Sequence, residues 1–263
     1  MIHFVGAGSG APDLITVRGQ RLLREADVVI YAGSLVNPEL LREAKPSCTI
    51  YDSARMTLEQ VIAAMQEAEA CGKTTVRLHT GDPSIYGAIR EQMDELERLG
   101  VDFDVTPGVS SFCGAAASLK AEYTLPDVTQ TVIITRMAGR TPVPEREELS
   151  RLAAHGATMA LFLSAGMLPQ LRERLLAGGA YTESTPAAIV YKATWPEERQ
   201  VVGTVGELPE MARRNGIDKT ALVLVGDFLG NSYERSKLYD PAFTTGYRRA
   251  EQQPTPQGGT DHV

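Results

Sequence analysis

The sequence predicts an α/β protein built as two α/β domains, and three observations carry that expectation. Short apolar runs of about four to six residues alternate with segments whose apolar residues recur at helical spacing. The alternation stops at the stretch KAEYTLPD, where Pro126 discourages regular structure, and then resumes. The chain has 263 residues, 43% hydrophobic and 22% charged, which suits a globular protein with one large domain or two modest ones.

In the first half, residues 2–5, 28–31, 48–51, 75–78 and 103–105 read as strands. Between them, 20–26, 58–70 and 88–99 read as helices; Leu58, Val61, Ile62, Met65 and Ala68 would share one face. Strand–helix alternation at this pitch predicts a mostly parallel sheet with covering helices. A small-residue helix over 113–119 precedes the boundary, which is placed near residue 125. In the second half, 131–135, 158–163, 188–191, 200–204 and 221–225 read as strands, and 149–154 and 167–176 as helices. The strands flanking KATWPEER are close enough to form an antiparallel hairpin, so this sheet is expected to be mixed. The predicted domains are therefore 1–125 and 126–240. The polar residues 241–263 read as a loose tail.

Composition excludes several classes of function. A net charge of −7 with no basic run argues against binding a nucleic-acid backbone, and no basic amphipathic stretch marks a membrane anchor. No apolar run approaches the length of a membrane span, and the start MIHFVG enters a strand without a signal-peptide pattern, so a cytoplasmic protein is expected. Cys48, Cys71 and Cys113 match neither a disulfide framework nor a zinc signature and are read as buried small hydrophobes. No metal is expected.

Three glycine-containing loops follow predicted strands. The first, GAGSGAPDLITVRG, formally fits the dinucleotide fingerprint through Gly6, Gly8 and Ala11. That fingerprint needs a helix opening at the glycines and an acid after the second strand. Here Pro12 and the β-rich Leu14–Val17 stretch delay the helix to about Arg18, and Tyr31-Ala32-Gly33-Ser34 offers no acid. A nicotinamide site, a purely structural turn and a close backbone approach to another ligand all stay open. The second loop, Thr80-Gly81-Asp82-Pro83-Ser84-Ile85-Tyr86-Gly87, would sit at a strand's carboxyl end, where open sheets collect ligands. Asp82 there either closes a local turn or faces a ligand. In the third, Thr106-Pro107-Gly108-Val109-Ser110-Ser111, the hydroxyls either cap the next helix or contact the ligand. Protease, α/β-hydrolase and P-loop signatures do not occur in the chain.

The ordered set GAGSGAPDLITVRG, YAGSLV, RLHTGDPSIYGAIREQ, TPGVSSF, LFLSAG, VYKATWPEE and TALVLVGDFL resembles the tetrapyrrole (corrin/porphyrin) methylases over roughly residues 1–240. YAGSLVNPELL, DSARMTLEQV, TLPDVTQTVIITR and LYDPAF resemble the branch that methylates C11 of precorrin-4 in cobalamin biosynthesis, with the cobalt-bearing substrate of the anaerobic route as the alternative. Relatives acting on uroporphyrinogen III carry an acid and a lysine where this chain has Ala32 and Ser53, so that reaction is not assigned.

The resemblance implies the class III methyltransferase fold, with S-adenosylmethionine bound in a cleft between the domains and S-adenosylhomocysteine as product. Positions matching the family's cofactor contacts are Pro12, Thr80, Gly81, Asp82, Ile85, Ser110 and Ser111 in the first domain, and Ala165, Ala193, Thr220 and Ala221 in the second. The implied substrate is rimmed by carboxylates, which an acidic protein must meet with a local basic cleft. Arg18, Arg55, Arg136, Arg140 and Lys192 are the candidates. No catalytic acid or base is assigned, and a homodimer is expected by analogy.

Overall fold

The structure is a computed structural model, and residues 1–250 are described. The expected tail therefore lies outside the described residues from 251 onward.

Each half of the chain folds around its own five-stranded sheet. In the first, β1 (Ile2–Gly6), β2 (Val28–Tyr31), β3 (Thr49–Asp52), β4 (Thr75–His79) and β5 (Phe103–Thr106) lie in the order β3-β2-β4-β1-β5. All neighbours are parallel. Helices cover both faces, so these strands carry apolar residues on both sides. Leu22 and Leu23 of α1 (Val17–Glu25) pack with Val5, Val29, Val76 and Leu78. On the other face, Val61, Ile62 and Met65 of α2 (Leu58–Ala70) and Leu96 of α3 (Arg90–Arg98) pack with Ile2, Phe4, Val28 and Ile30. A reciprocal capping box between Thr57 and Gln60 starts α2.

The second sheet holds β6 (Val132–Arg136), β7 (Thr158–Phe162), β8 (Pro186–Tyr191), β9 (Arg199–Thr204) and β10 (Ala221–Val225) in the order β6-β7-β10-β8-β9. Only β6 and β7 are parallel, and β8–β9 is the expected hairpin. On one face, Leu149 of α5 (Leu149–Ala153), Leu171 and Leu175 of α6 (Leu168–Ala177) and Met211 of α7 (Leu208–Asn215) close a core with Met159, Leu161, Ile189 and Val223. Leu171 is fully buried there, and its truncation to alanine would cost about 2–5 kcal/mol.

The opposite face is covered by α4 (Ser111–Leu119), whose Ala115, Phe112 and Leu119 pack against Ala188, Val190, Leu222 and Leu224. This helix precedes residue 125 yet packs on the second sheet. It thereby ties the two halves together.

Two expectations are corrected. Cys71 and Cys113 are exposed and Cys48 is intermediate, so none of the three is a buried core residue. The third helix begins at Arg90, because Tyr86 and Ala88 just before it take left-handed backbone conformations. Among the described residues, no helix is long and apolar enough to cross a membrane.

Candidate functional site

From β1 the chain moves towards one edge of the first sheet, and from β4 it moves towards the other. The carboxyl ends of these adjacent strands therefore form the switch point where open α/β sheets hold ligands. Here the loops are clamped to each other. Gly8 N–H donates to the Gly81 carbonyl (3.2 Å) and Gly81 N–H to the Gly8 carbonyl (2.9 Å). The loop after β5 closes on both: a Cβ on Gly108 would lie 2.1 Å from the Gly81 oxygen, and one on Gly6 would lie 2.6 Å from the Gly108 Cα. The glycines thus bring backbone against backbone. Together with a helix that starts only at Val17, this removes the geometric basis of the dinucleotide reading.

Asp82 fastens the clamp. Its Oδ1 accepts from the Ser84 N–H (2.8 Å) and also from the Ser84 hydroxyl, and its Oδ2 accepts from the Gly108 N–H (2.8 Å). Burial pushes its carboxyl up, but the bonds from Ser84 and Gly108 outweigh it and hold the group below the ordinary carboxylate value. Asp82 is therefore an anionic clasp that also borders the cleft.

His79, at the end of β4, is only 2% exposed, and its Nε2 has no hydrogen-bond partner among the described residues. Burial, aided by the neighbouring Arg77 charge, lowers its pKa to about 3 and keeps the ring neutral. The Arg77 guanidinium is itself buried, bonded to Gln92 (2.9 Å) and to the Ile30 carbonyl (3.1 Å).

The second half of the chain contributes a wall. The turn between β8 and β9 inserts Thr194 over the first glycine loop, where its hydroxyl contacts Ser9 Oγ (3.0 Å) and accepts from the Ala11 N–H (3.0 Å). Trp195 lies so close to Gly10 that a Cβ there would come within 2.1 Å of the indole. Glu198 accepts from Ser118 of α4 (2.6 Å) and from the Thr194 N–H (2.6 Å), which locks the turn. Leu163, Lys192, Thr194 and Thr220 all have positive φ on this side. Such conformations are strained for residues with a Cβ and concentrate where function imposes them.

Floor and wall enclose a cavity of about 690 Å³, within the range of small-molecule sites. A family model for the tetrapyrrole (corrin/porphyrin) methylases matches residues 1–209. The chain belongs to this family. It is 53% identical to a cobalt-precorrin-4 C(11)-methyltransferase of Methanocaldococcus jannaschii, over 95% of this chain and 96% of that one. It is 44% identical to a precorrin-4 C(11)-methyltransferase of Mycobacterium tuberculosis, over 92% and 96%. A crystal structure of a cobalt precorrin-4 methyltransferase superposes with a TM-score of 0.85 at 49% identity, covering 88% of this chain and 96% of that one. A uroporphyrin-III C-methyltransferase of Thermus thermophilus in complex with S-adenosylhomocysteine gives 0.73 at 27%, covering 87% and 93%.

In this methylase, Thr80, Gly81, Asp82, Ile85, Ser110, Ser111, Ala165, Ala193, Thr220 and Ala221 all line the cavity, although they come from both halves of the sequence. Pro12 does not; it starts a short 3-10 turn beyond the clamp. Of the five basic candidates the cavity includes Lys192, whose Nζ stands 5.1 Å from the Trp195 ring centroid and 3.5 Å from Glu197. Arg18, Arg55 and Arg140 are exposed and outside the lining. Arg136 is also outside it, because its guanidinium donates to the carbonyls of Met137, Thr141 and Pro142 and holds that loop instead of standing free as a carboxylate clamp.

Tyr86, Leu163, Asp218 and Lys219 also line the cavity but were not among the candidate site residues, although Tyr86 lies in the loop after β4 and Leu163 in LFLSAG, both read as motifs. Asp218 and Lys219 immediately precede the singled-out Thr220, so adjacency was the available signal.

Proposed function

We propose that this methylase transfers a methyl group from S-adenosylmethionine to C11 of precorrin-4, in its metal-free or its cobalt-bearing form, in cobalamin biosynthesis. The observation that carries the reading is the convergence of the matching positions, from Thr80 to Ala221, on one cavity between two sheets. Higher identity to the cobalt-precorrin-4 enzymes, 53% against 44%, favours the cobalt-bearing substrate over the metal-free one. Any cobalt is then part of the substrate. Among the described residues no group of three or more His, Cys, Asp or Glu side chains is placed to hold a metal ion.

The cavity's residues suit such a cofactor. Gly81, Ala165 and Ala193 leave backbone groups accessible, while Ser110, Ser111, Thr80 and Thr220 supply hydroxyls. S-adenosylmethionine supplies, when bound, a methyl group on a positively charged sulfur. The chain's task is then to hold and align, and near-attack positioning can contribute up to about 7–11 kcal/mol. Burial keeps His79 uncharged beside the site, so it adds no repulsion towards a cation. Asp82 is committed to Ser84 and Gly108 and acts as a positioning group for the loops. Lys192 and Lys219 are the cationic side chains lining the cavity and would meet substrate carboxylates. By analogy with the family, the protein is assigned as a cytoplasmic homodimer, which light scattering on the purified protein tests.

Calorimetric titration with S-adenosylhomocysteine, with NADH as control, tests the cofactor. One site per chain of about micromolar affinity for the former alone is expected. Binding of NADH alone would overturn the assignment. Parallel turnover of precorrin-4 and cobalt-precorrin-4 then fixes the substrate form.

A further inference from the structure

We propose that Glu198 and Thr194 are positioning residues of the cofactor site: together they latch the β8–β9 turn onto the first glycine loop, and cofactor affinity depends on that latch. The inference deepens the methyl-transfer reading and rests on it. Neither residue lines the cavity, whereas Lys192, Ala193 and Trp195 of the same turn do, and so does Ser9 of the loop. Glu198 and Thr194 therefore act on a ligand only through the residues they hold in place.

Two independent features mark the latch. The first is a backbone that does not hold itself. Lys192 and Thr194 have φ of 48° and 68°, and for β-branched threonine that conformation is an outlier. Such strain persists only where surrounding contacts over-determine it. Here the strained residue is held twice. Its N–H donates to Glu198 Oε2 (2.6 Å), and its hydroxyl accepts from the Ala11 N–H (3.0 Å) of the opposite half of the chain. Glu198 is fixed in turn by the Ser118 hydroxyl of α4 (2.6 Å) and the Gln200 amide (3.3 Å). Burial pushes its carboxyl up, but the bonds from Ser118, Thr194 and Gln200 outweigh it and keep the group ionised at neutral pH.

The second feature is the room cut for the turn on two sides. A Cβ on Gly10 would strike the Trp195 indole and come 2.9 Å from the Ala193 carbonyl. One on Gly114 of α4 would come 2.8 Å from Ser9 and 3.1 Å from the Thr194 methyl. A loop of the first half and a helix packed on the second sheet thus both give up a side chain to admit the same turn. A cavity wall carried on strained backbone keeps its binding geometry only while the latch is closed. Once the latch is lost, that geometry is one of several, and the apparent Kd rises in inverse proportion to the fraction of chains that hold it.

Calorimetric titration of full-length variants with S-adenosylhomocysteine tests the latch. Glu198→Ala and Thr194→Val should each raise Kd about tenfold. Glu198→Gln keeps an acceptor for the Thr194 N–H and Thr194→Ser keeps one for the Ala11 N–H, so both should stay within about twofold of the parent. The double variant of Glu198→Ala with Thr194→Val should bind about as weakly as either single one, because both open the same latch. Leu171→Ala lowers Tm through a buried residue outside the cavity lining and should leave Kd unchanged. An unchanged Kd in Thr194→Val overturns the latch, and that variant decides the matter if Glu198→Ala does not fold. Single effects that multiply to about a hundredfold in the double variant also overturn it, since the two residues would then act separately. So does a Kd that rises as much in Leu171→Ala, since lost stability alone would then explain the effect. Failure of the parent protein to bind S-adenosylhomocysteine strikes the functional reading itself. Normal parent binding with unaffected variants strikes only the latch.

Discussion

The two sides of the cleft are built by opposite means. On the first sheet's side, Gly6, Gly8, Gly81 and Gly108 remove side chains so that three loops pack main chain against main chain. On the second sheet's side, Leu163, Lys192, Thr194 and Thr220 keep their side chains in conformations that glycine would adopt without strain. The floor needs its backbone to be bare, and the wall needs its side chains enough to bear the strain. Substitutions should therefore act with opposite sign on the two sides: adding a methyl to the floor destabilises, and removing a strained wall side chain that makes no hydrogen bond, such as that of Thr220, stabilises.

The largest effect is expected at the floor. Gly108→Ala places a Cβ against the Gly81 carbonyl, with no flexible group to yield, and should cost about 3–5 kcal/mol in denaturant unfolding. A cost below about 1 kcal/mol would show that the loops are not clamped and would end the comparison.

Next comes the acid limb of stability. His79 is neutral in the fold down to about pH 3 but titrates near 6.5 when unfolded. The unfolded chain thus binds more protons in that window. The stability associated with neutral His79 is full above pH 6.5 and declines towards pH 3, by at most about 1.4 kcal/mol per pH unit. His79→Phe should flatten that part of the stability–pH curve; an unaltered slope would mean that His79 is protonated in place.

Asp82→Asn sharpens the account of the clasp, because its amide would face the Gly108 N–H. A loss of about 1–3 kcal/mol is expected at neutral pH. Since the native carboxyl lies below its ordinary value, Asp82's contribution is present above about pH 4 and is lost as pH falls through the lowered native value. The difference between parent and variant should shrink accordingly. Equal stability at neutral pH would remove Asp82 from the clamp. The smallest effect, and the one of opposite sign, is Thr220→Gly on the wall. It should raise stability by about 0.5–1 kcal/mol while weakening S-adenosylhomocysteine binding, and a destabilised variant would refute the idea of stored strain.

Much of the fold was legible because local pattern determines it. The runs at 28–31 and 221–225 became β2 and β10 with the expected limits, since contiguous Val, Ile and Leu leave few alternatives to a buried strand. The helix α7 was not expected: Leu208, Met211 and Ala212 give it only a short apolar stripe among polar residues. Its stability comes from the sheet beneath it. The small residues of the site were found through resemblance to a family. Their clamping was not legible, because Gly6 and Gly108 meet across a hundred residues of sequence and nothing local announces the partner. Nor could spacing reveal that Arg136 bonds the carbonyls of its own loop, which made it look like a free cation.

The placement of Trp195 has an optical consequence. It is the chain's single tryptophan, and its indole borders the cavity with the Lys192 ammonium above it and Gly10 beneath. Fluorescence excited at the red edge of protein absorption therefore originates at the cleft and nowhere else in the molecule. Filling the cleft changes the polarity around that one emitter, so occupancy can be followed in real time, in unlabelled protein.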